Sequence, residues 1–337
     1  MRREHRLIGI SCVQHFLVDG LCICCMFLLT GLYSSCFSVY GDCVGMGAVF
    51  LYNVLAFMSQ PLTGLIADRM EKRHWLLVWS SLLLTMAVAL AWLLSMLVRA
   101  SKFSTDDAAL EYLLMLVALL LGVGNSLFHV WGGKQTVVKA GNDLRALGMF
   151  VSTGALGLAV GLVFRSWLLL YALLLAIVFL AVTYVRWDDG SQVVTYSEKA
   201  WPQWLSPMNA WVAVVLLMLF VGYRSFAGEV FSKGITKTQE LILVIGATSM
   251  LGKMAGGWIA RWMGILRSLM VILAGVVLCL LFRGNSKLVL LLGIFLMNCT
   301  MPVTLYLANE VLPRREGLAF GLLVAALMLG YLLAVYL

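Results

Sequence analysis

Apolar runs long enough to cross a lipid bilayer follow one another through almost the whole of this 337-residue chain. A hydrocarbon core of about 30 Å asks for roughly 18 or more such residues as a helix. The runs fall at about residues 7–31, 43–67, 75–98, 112–137, 144–164, 166–186, 208–231, 236–260, 264–283, 287–309 and 316–336. Inside lipid the backbone must satisfy its own hydrogen bonds, which leaves helices or a closed barrel, and these runs lack the alternation of barrel strands. Composition agrees, with 62% hydrophobic and 12% charged residues and a mean hydropathy of +0.98. A soluble domain has no way to hide that much apolar surface. The expected fold is an all-α, multi-pass bundle in a lipid bilayer.

A repeat organises the runs. Gly64-Leu65-Ile66-Ala67-Asp68-Arg69-Met70 returns as Gly257-Trp258-Ile259-Ala260-Arg261-Trp262-Met263, each copy closing an apolar run and opening a short basic link. Repeated supersecondary units in a membrane are the mark of two-lobed carriers. Residues 187–207, with Asp188, Asp189, Gly190, Pro202 and Pro207, form the long polar connection. The expected division is therefore a six-helix lobe over 1–186, a cytoplasmic linker over 187–207 and a five-helix lobe over 208–337. Eleven helices result, and the twelfth that six plus six would require is apparently absent.

The net charge of +8 does not call for a nucleic-acid partner. With the N-terminus in the cytoplasm, sixteen of the 24 Lys and Arg fall on the inner side, from Arg2, Arg3 and Arg6 to Arg314 and Arg315. That asymmetry is the positive-inside rule, and it predicts a cytoplasmic-membrane protein with its N-terminus inside. Cysteines crowd the first 43 residues, but adjacent Cys24-Cys25 lacks the spacer of a metal or redox pair, so packing is their expected role. The first run is too long for a cleaved signal and carries His15 and Asp19, which makes it an uncleaved helix.

Ionisable residues at membrane depth are costly and mark function. His15 and Asp19 share one helix face, His129 and Asn125 share another, Arg224 lies in the seventh run and Asn298 near the middle of the tenth. Counted from the run centres, His15 and His129 lie at similar depth. An Asp19–Arg224 pair across the lobes is expected, with His15 or His129 as the proton-coupling group, because histidine titrates near neutral pH. Lys134 and Gln135 close the fourth run, where a lysine ordinarily snorkels to the interface. No phosphate-binding Gly-x-x-x-x-Gly-Lys-Ser/Thr, Gly-x-Ser-x-Gly elbow or His-Glu-x-x-His site occurs. No enzyme activity, cofactor or metal is expected.

Residues 64–73, Gly-Leu-Ile-Ala-Asp-Arg-Met-Glu-Lys-Arg, resemble the signature between the second and third helices of the major facilitator superfamily. Gly64, Asp68, Arg69, Lys72 and Arg73 are in register, and Glu71 stands where a glycine is usual. The resemblance implies a two-lobed bundle whose first, fourth, seventh and tenth helices line a cavity. It also implies a conformational latch on the inner face at Gly64, Asp68, Arg69, Lys72 and Arg73, with Arg261 where the second copy's acid would be. His15-Phe16-Leu17-Val18-Asp19, Gly122-Val123-Gly124-Asn125-Ser126-Leu127-Phe128-His129 and Tyr223-Arg224-Ser225 resemble elements of the fosmidomycin-resistance-type efflux carriers. That group continues Pro-Glu-Gly after the histidine, whereas this chain has Val130-Trp131-Gly132. The resemblance implies proton-coupled efflux of a small molecule by a monomer, with an uptake symporter or a non-transporting sensor or scaffold as alternatives.

Overall fold

The structure, a computed structural model, describes residues 3–70, 74–100, 108–191, 209–232, 238–282 and 286–336. Glu71, Lys72 and Arg73, most of the 99–111 link and residues 192–207 of the expected linker lie outside this set. The described elements are helices α1 (Arg3–Asn53), α2 (Gln60–Arg69), α3 (Trp75–Ala100), α4 (Ala108–Ala140), α5 (Leu144–Val163) and α6 (Trp167–Trp187). They continue as α7 (Ala210–Ser232), α8 (Gln239–Met263), α9 (Ile265–Leu281), α10 (Lys287–Cys299), α11 (Met301–Val311) and α12 (Glu316–Tyr336). Ten stretches are long and apolar enough to cross a membrane, and α9, with 17 residues, is a shorter apolar helix. The chain is thus a polytopic helical bundle, with crossings close to those read from hydropathy; Trp167–Trp187 answers to 166–186 and Lys287–Val311 to 287–309.

Two crossings are not single straight helices. The helical backbone of α1 runs unbroken for 51 residues, yet a Cβ on Gly45 would lie 3.3 Å from the Cβ of Thr30. A straight helix would part those residues by about 22 Å, so the chain turns back between them. The crossings are Arg3–Ser35 and Asp42–Arg69. The second contains a wider helical turn at Val54–Met58 before Ser59-Gln60-Pro61 opens α2. The tenth crossing breaks at Thr300-Met301-Pro302, between α10 and α11. A proline has no N–H for the carbonyl four residues back, here Phe57 and Asn298. The amides of Ser59 and Thr300 take up those carbonyls instead.

Side chains pack in two helical groups with a shared seam. The larger core joins α1, α3, α4 and α6 through residues such as Leu21, Leu84, Leu121 and Ile177. Smaller clusters hold α7, α9 and α10 together around Phe231, Ile272 and Met297. A fourth cluster, with Leu147, Phe150, Val303 and Phe320, joins α5 to α11 and α12. Leu168, Leu175 and Phe179 on α6 and Trp79 and Met86 on α3 point outward and are exposed, as lipid-facing positions require.

Backbones approach where glycine leaves room. A Cβ on Gly157 of α5 would overlap the Phe16 carbonyl of α1, and one on Gly161 would overlap that of Gly20. Small residues give close van der Waals packing where lipid offers no hydrophobic drive between helices. Gly31, by contrast, has open space around it. Gly157→Leu should therefore cost upwards of about 1–3 kcal/mol, the range for overpacking, and lower the melting temperature by several degrees in size-exclusion thermal melts. Gly31→Leu should melt like the parent; equal melting of both variants would contradict the α1–α5 contact.

Candidate functional site

Asp19 lies at the centre of a buried cluster. Its Oδ2 is 3.3 Å from His15 Nε2 and its Oδ1 3.2 Å from His129 Nε2. All three residues are 6% exposed. The i, i+4 spacing on α1 brings His15 to Asp19, and α4 brings His129, whose ring centroid is 4.6 Å from that of His15. Each imidazole is fixed through its other nitrogen: His15 Nδ1 lies 2.7 Å from the Phe150 carbonyl and His129 Nδ1 3.0 Å from that of Asn125. A carbonyl only accepts, so both Nδ1 atoms carry hydrogen. Both Nε2 atoms then face carboxylate oxygens, and a bare lone pair against an anion is repulsive. Each of the two Nε2–oxygen contacts becomes a hydrogen bond only when a proton lies in it, so the cluster can hold one proton or two. The ligating atoms of the three residues lie within 4.8 Å of one another.

Neighbouring elements complete the setting. Asn125 Nδ2 donates to Tyr52 Oη at 3.0 Å and reaches Asp19 Oδ1 at 3.5 Å. On α5, Gly154 offers bare backbone, and a Cβ there would overlap Asp19 Oδ2 and His15 Nε2. Trp131, where the resembled carriers have glutamate, is buried edge-on against Tyr184 at 4.6 Å. His15, Asp19, Asn125 and His129 are brought together. Arg224 is not: the expected Asp19–Arg224 pair is absent, because both carboxylate oxygens face histidines and Arg224 Nη1 reaches the Thr300 hydroxyl at 3.5 Å.

Arg224 and Asn298 line a different feature, a cavity of about 530 Å³ between α5 and the helices α7, α8, α10 and α12. Asn298 Nδ2 donates to the Ile294 carbonyl at 2.8 Å and approaches Ser249 Oγ at 3.5 Å. Ala155 and Leu162 on α5, Glu229 on α7, Ile242 on α8 and Tyr331 on α12 place this space in the half of the bundle remote from the amino terminus. Lys253 also faces it. Counting charge along the run puts Lys253 among the inner-side cations, yet it is half-buried on α8 within electrostatic reach of Asp19 and Arg224. The repeat held a signal for it, since Lys253 occupies the place, four residues before the glycine, of the buried Gln60.

The opposite end, where the chain starts, is sealed by contacts between the helical groups. Asp68 Oδ1 accepts from the Gly317 amide at 3.0 Å and from Lys134 Nζ at 2.9 Å, and Oδ2 accepts from the Leu318 amide at 2.9 Å. Lys134 also donates to the Ala67 carbonyl at 2.8 Å, so it is held inside and does not snorkel. A carboxylate on these first amides caps α12 and meets the positive end of its dipole. A Cβ on Gly64 would strike the Gly317 backbone, and one on Gly257 would strike Leu144 at the start of α5. The repeat thus presses its two glycines against two helix starts.

The second copy cannot reproduce the cap, because Arg261 replaces the acid; α5 is capped by its own Asp143, which accepts from the Arg145 amide at 2.8 Å. Burial works against ionised Asp143, but bonds from Arg145 outweigh it and hold the carboxyl below its ordinary range. Arg261 is exposed and lines an open cavity of about 450 Å³ with Glu310 and Tyr306. Arg69 is exposed as well and makes no ion pair among the described residues. Asn142, absent from the sequence reading, bridges the groups by donating to Glu310 Oε1 at 2.8 Å. It sits in the left-handed region with φ 57°, a conformation asparagine tolerates. Lys139 with Asp188, and Arg3 with Asp189, fasten the residues after α6.

The sequence profile described as Major Facilitator Superfamily matches residues 20–335. No curated protein sequence matches the chain. Among solved structures it is similar to the fucose:proton symporter of E. coli, at 14% identity and a TM-score of 0.67, covering 99% of this chain and 91% of that one. It is also similar to a bacterial homologue of the iron transporter ferroportin in its outward-facing state (15%, 0.60, 99% and 91%). A human organic anion transporter matches at 15% identity and a TM-score of 0.61, covering 100% and 94%. At such identities the likeness is one of fold.

Losing a charged cap costs about 0.5–2 kcal/mol, roughly 2- to 30-fold in a local opening equilibrium. Hydrogen exchange of the peptide spanning Glu316–Leu322 should therefore accelerate by that factor in Asp68→Asn. Unchanged exchange there would show that Asp68 does not hold the start of α12.

Proposed function

This chain belongs to the major facilitator superfamily, and from that premise we propose that it is a secondary transporter carrying a small molecule by alternating access, coupled to a proton held at Asp19. Transport, not enzyme catalysis, is the business of this family. The observation that carries the coupling assignment is the orientation of the two histidines. With Nδ1 of each donating to a backbone carbonyl, Asp19 is flanked by two Nε2 atoms, each of which needs a proton between itself and the carboxylate oxygen it faces. Such a group binds and releases protons as water gains and loses access to it.

The basic end of the bundle is read as cytoplasmic, which makes the cavity outward-facing and the sealed end the inner gate. Asp68, Lys134, Gly64 and the start of α12 then form the latch of this state, and rocking of the lobes breaks it. Export follows from the resemblance of the His15–Asp19 and Gly122–His129 segments to fosmidomycin-resistance-type carriers. Uptake by symport is favoured by one observation, the two cations facing the cavity.

Purified protein in liposomes should accumulate at least one solute of a broad panel under an imposed pH gradient. In Asp19→Asn that accumulation should fall to background while solute exchange at equal pH persists. Gradient-driven accumulation undiminished by Asp19→Asn would remove the proton from Asp19, and silence of the parent across the panel would favour a non-transporting scaffold.

A further inference from the structure

We propose that the interlobe cavity is a binding site for a small organic anion, held by Arg224 and Lys253, and that this anion and the proton on the Asp19 cluster bind cooperatively and cross in the same direction. The inference rests on the carrier reading above and adds the substrate class and the sign of the coupling.

The cavity, at about 530 Å³, is the size of a small-molecule site. Arg224 on α7 and Lys253 on α8 both line it. Arg224 contacts a neutral hydroxyl, and neither cation forms an ion pair among the described residues. Two cations facing one space at membrane depth are expensive unless an anion offsets them. Glu229 is the acid that lines the same cavity. Ser249 and Asn298 add neutral polar groups, while Ile23, Leu158, Ile294 and Leu327 make the rest of the wall apolar. The ligand that fits carries a carboxylate, phosphonate or sulfonate on a small apolar body, its oxygens shared between guanidinium and ammonium.

The same lysine links this site to the proton. The charged and titratable groups around Asp19 are His15 and Cys22 on α1, Tyr52 through Asn125, His129 on α4 and Lys253 on α8; at Gly154, α5 presents backbone only. Lys253 lines the cavity with Arg224, and its charge interacts with both Arg224 and Asp19. A proton on the cluster adds positive charge beside Lys253, and a bound anion removes it. Each ligand therefore tightens the other, and reciprocity requires the same factor in both directions. A carrier that exchanges substrate for protons needs the two to compete. Electrostatics here makes them cooperate, which selects symport, and with protons driven inward, uptake.

The test uses full-length protein in nanodiscs and calorimetric titration with benzoate, glutarate and phenylphosphonate, each beside its neutral counterpart: benzamide, glutaramide and diethyl phenylphosphonate. At least one anion should bind and its neutral counterpart should not. Affinity should drop about tenfold or more in Arg224→Gln and Lys253→Gln, well inside the range for a charged contact, and Lys253→Arg should restore it. Titration in buffers of different ionisation enthalpy should reveal proton uptake on anion binding, lost in Asp19→Asn although the anion still binds. Melting temperatures check that each variant is folded.

Neutral ligands binding as well as anions, no anion in the panel binding, or Lys253→Gln leaving anion affinity unchanged would overturn the anion site. Proton release on binding would overturn cotransport. Gradient-driven transport of a neutral solute would leave the carrier reading standing while this inference falls.

Discussion

Direct contact between bare backbones is the constraint on which the molecule depends. In lipid, burying one apolar helix against another gains little, so association relies on close packing. Gly64 against Gly317, Gly257 against Leu144 and Gly148 against the Lys253 carbonyl bring the two groups of helices within van der Waals range at one end. Toward the other end Gly246 of α8 still meets Ala159 of α5, and beside that seam α7, α10 and α12 leave with α5 and α8 the space that is the cavity. Gly154 and Gly157 do the same within the first group: they let α1 approach α5 closely enough for Asp19 and His15 to meet backbone instead of a side chain.

Charge is distributed unevenly across this frame. The group of helices that contains α1 and α4 supplies a carboxylate enclosed by imidazoles, whereas the other supplies the arginine and lysine. Opposite charges in the two halves would ordinarily be expected to pair. They do not, because each Asp19 oxygen is already occupied by a histidine and Arg224 turns to Thr300. Two separate charged groups result where one ion pair would have formed.

Much of this was legible in the residues. Uninterrupted apolar length fixed the crossings, since no competing pattern exists in a chain that must be helical throughout the hydrocarbon region. The shared face of His15 and Asp19 and the matching depth of His129 follow from helix geometry alone and were legible; that both histidines close on one carboxylate was not. The Asp19–Arg224 pairing failed for the complementary reason: it needed side-chain directions across two lobes, which periodicity does not carry. Lys253 was misplaced by counting charge along a run, although the repeat aligned it with buried Gln60. Arg69 and Arg261 matched a spacing but point outward, as a motif says nothing of which face its members present.

The breaks at Ser59-Gln60-Pro61 and Thr300-Met301-Pro302 occur once in each lobe, with nearly the same backbone at the residue before the break: φ −79° and ψ −15° at Ser59, φ −76° and ψ −17° at Thr300. At both, the carbonyl that proline strands has already found a substitute amide. The amides of Thr63 and Thr304 still bond the carbonyls of Ser59 and Thr300 across these points, so each break is one missing rung in an otherwise continuous ladder. Even one lost rung lowers bending stiffness locally, so the limbs beyond the two breaks gain a compliance that rigid rotation of whole helices would not give.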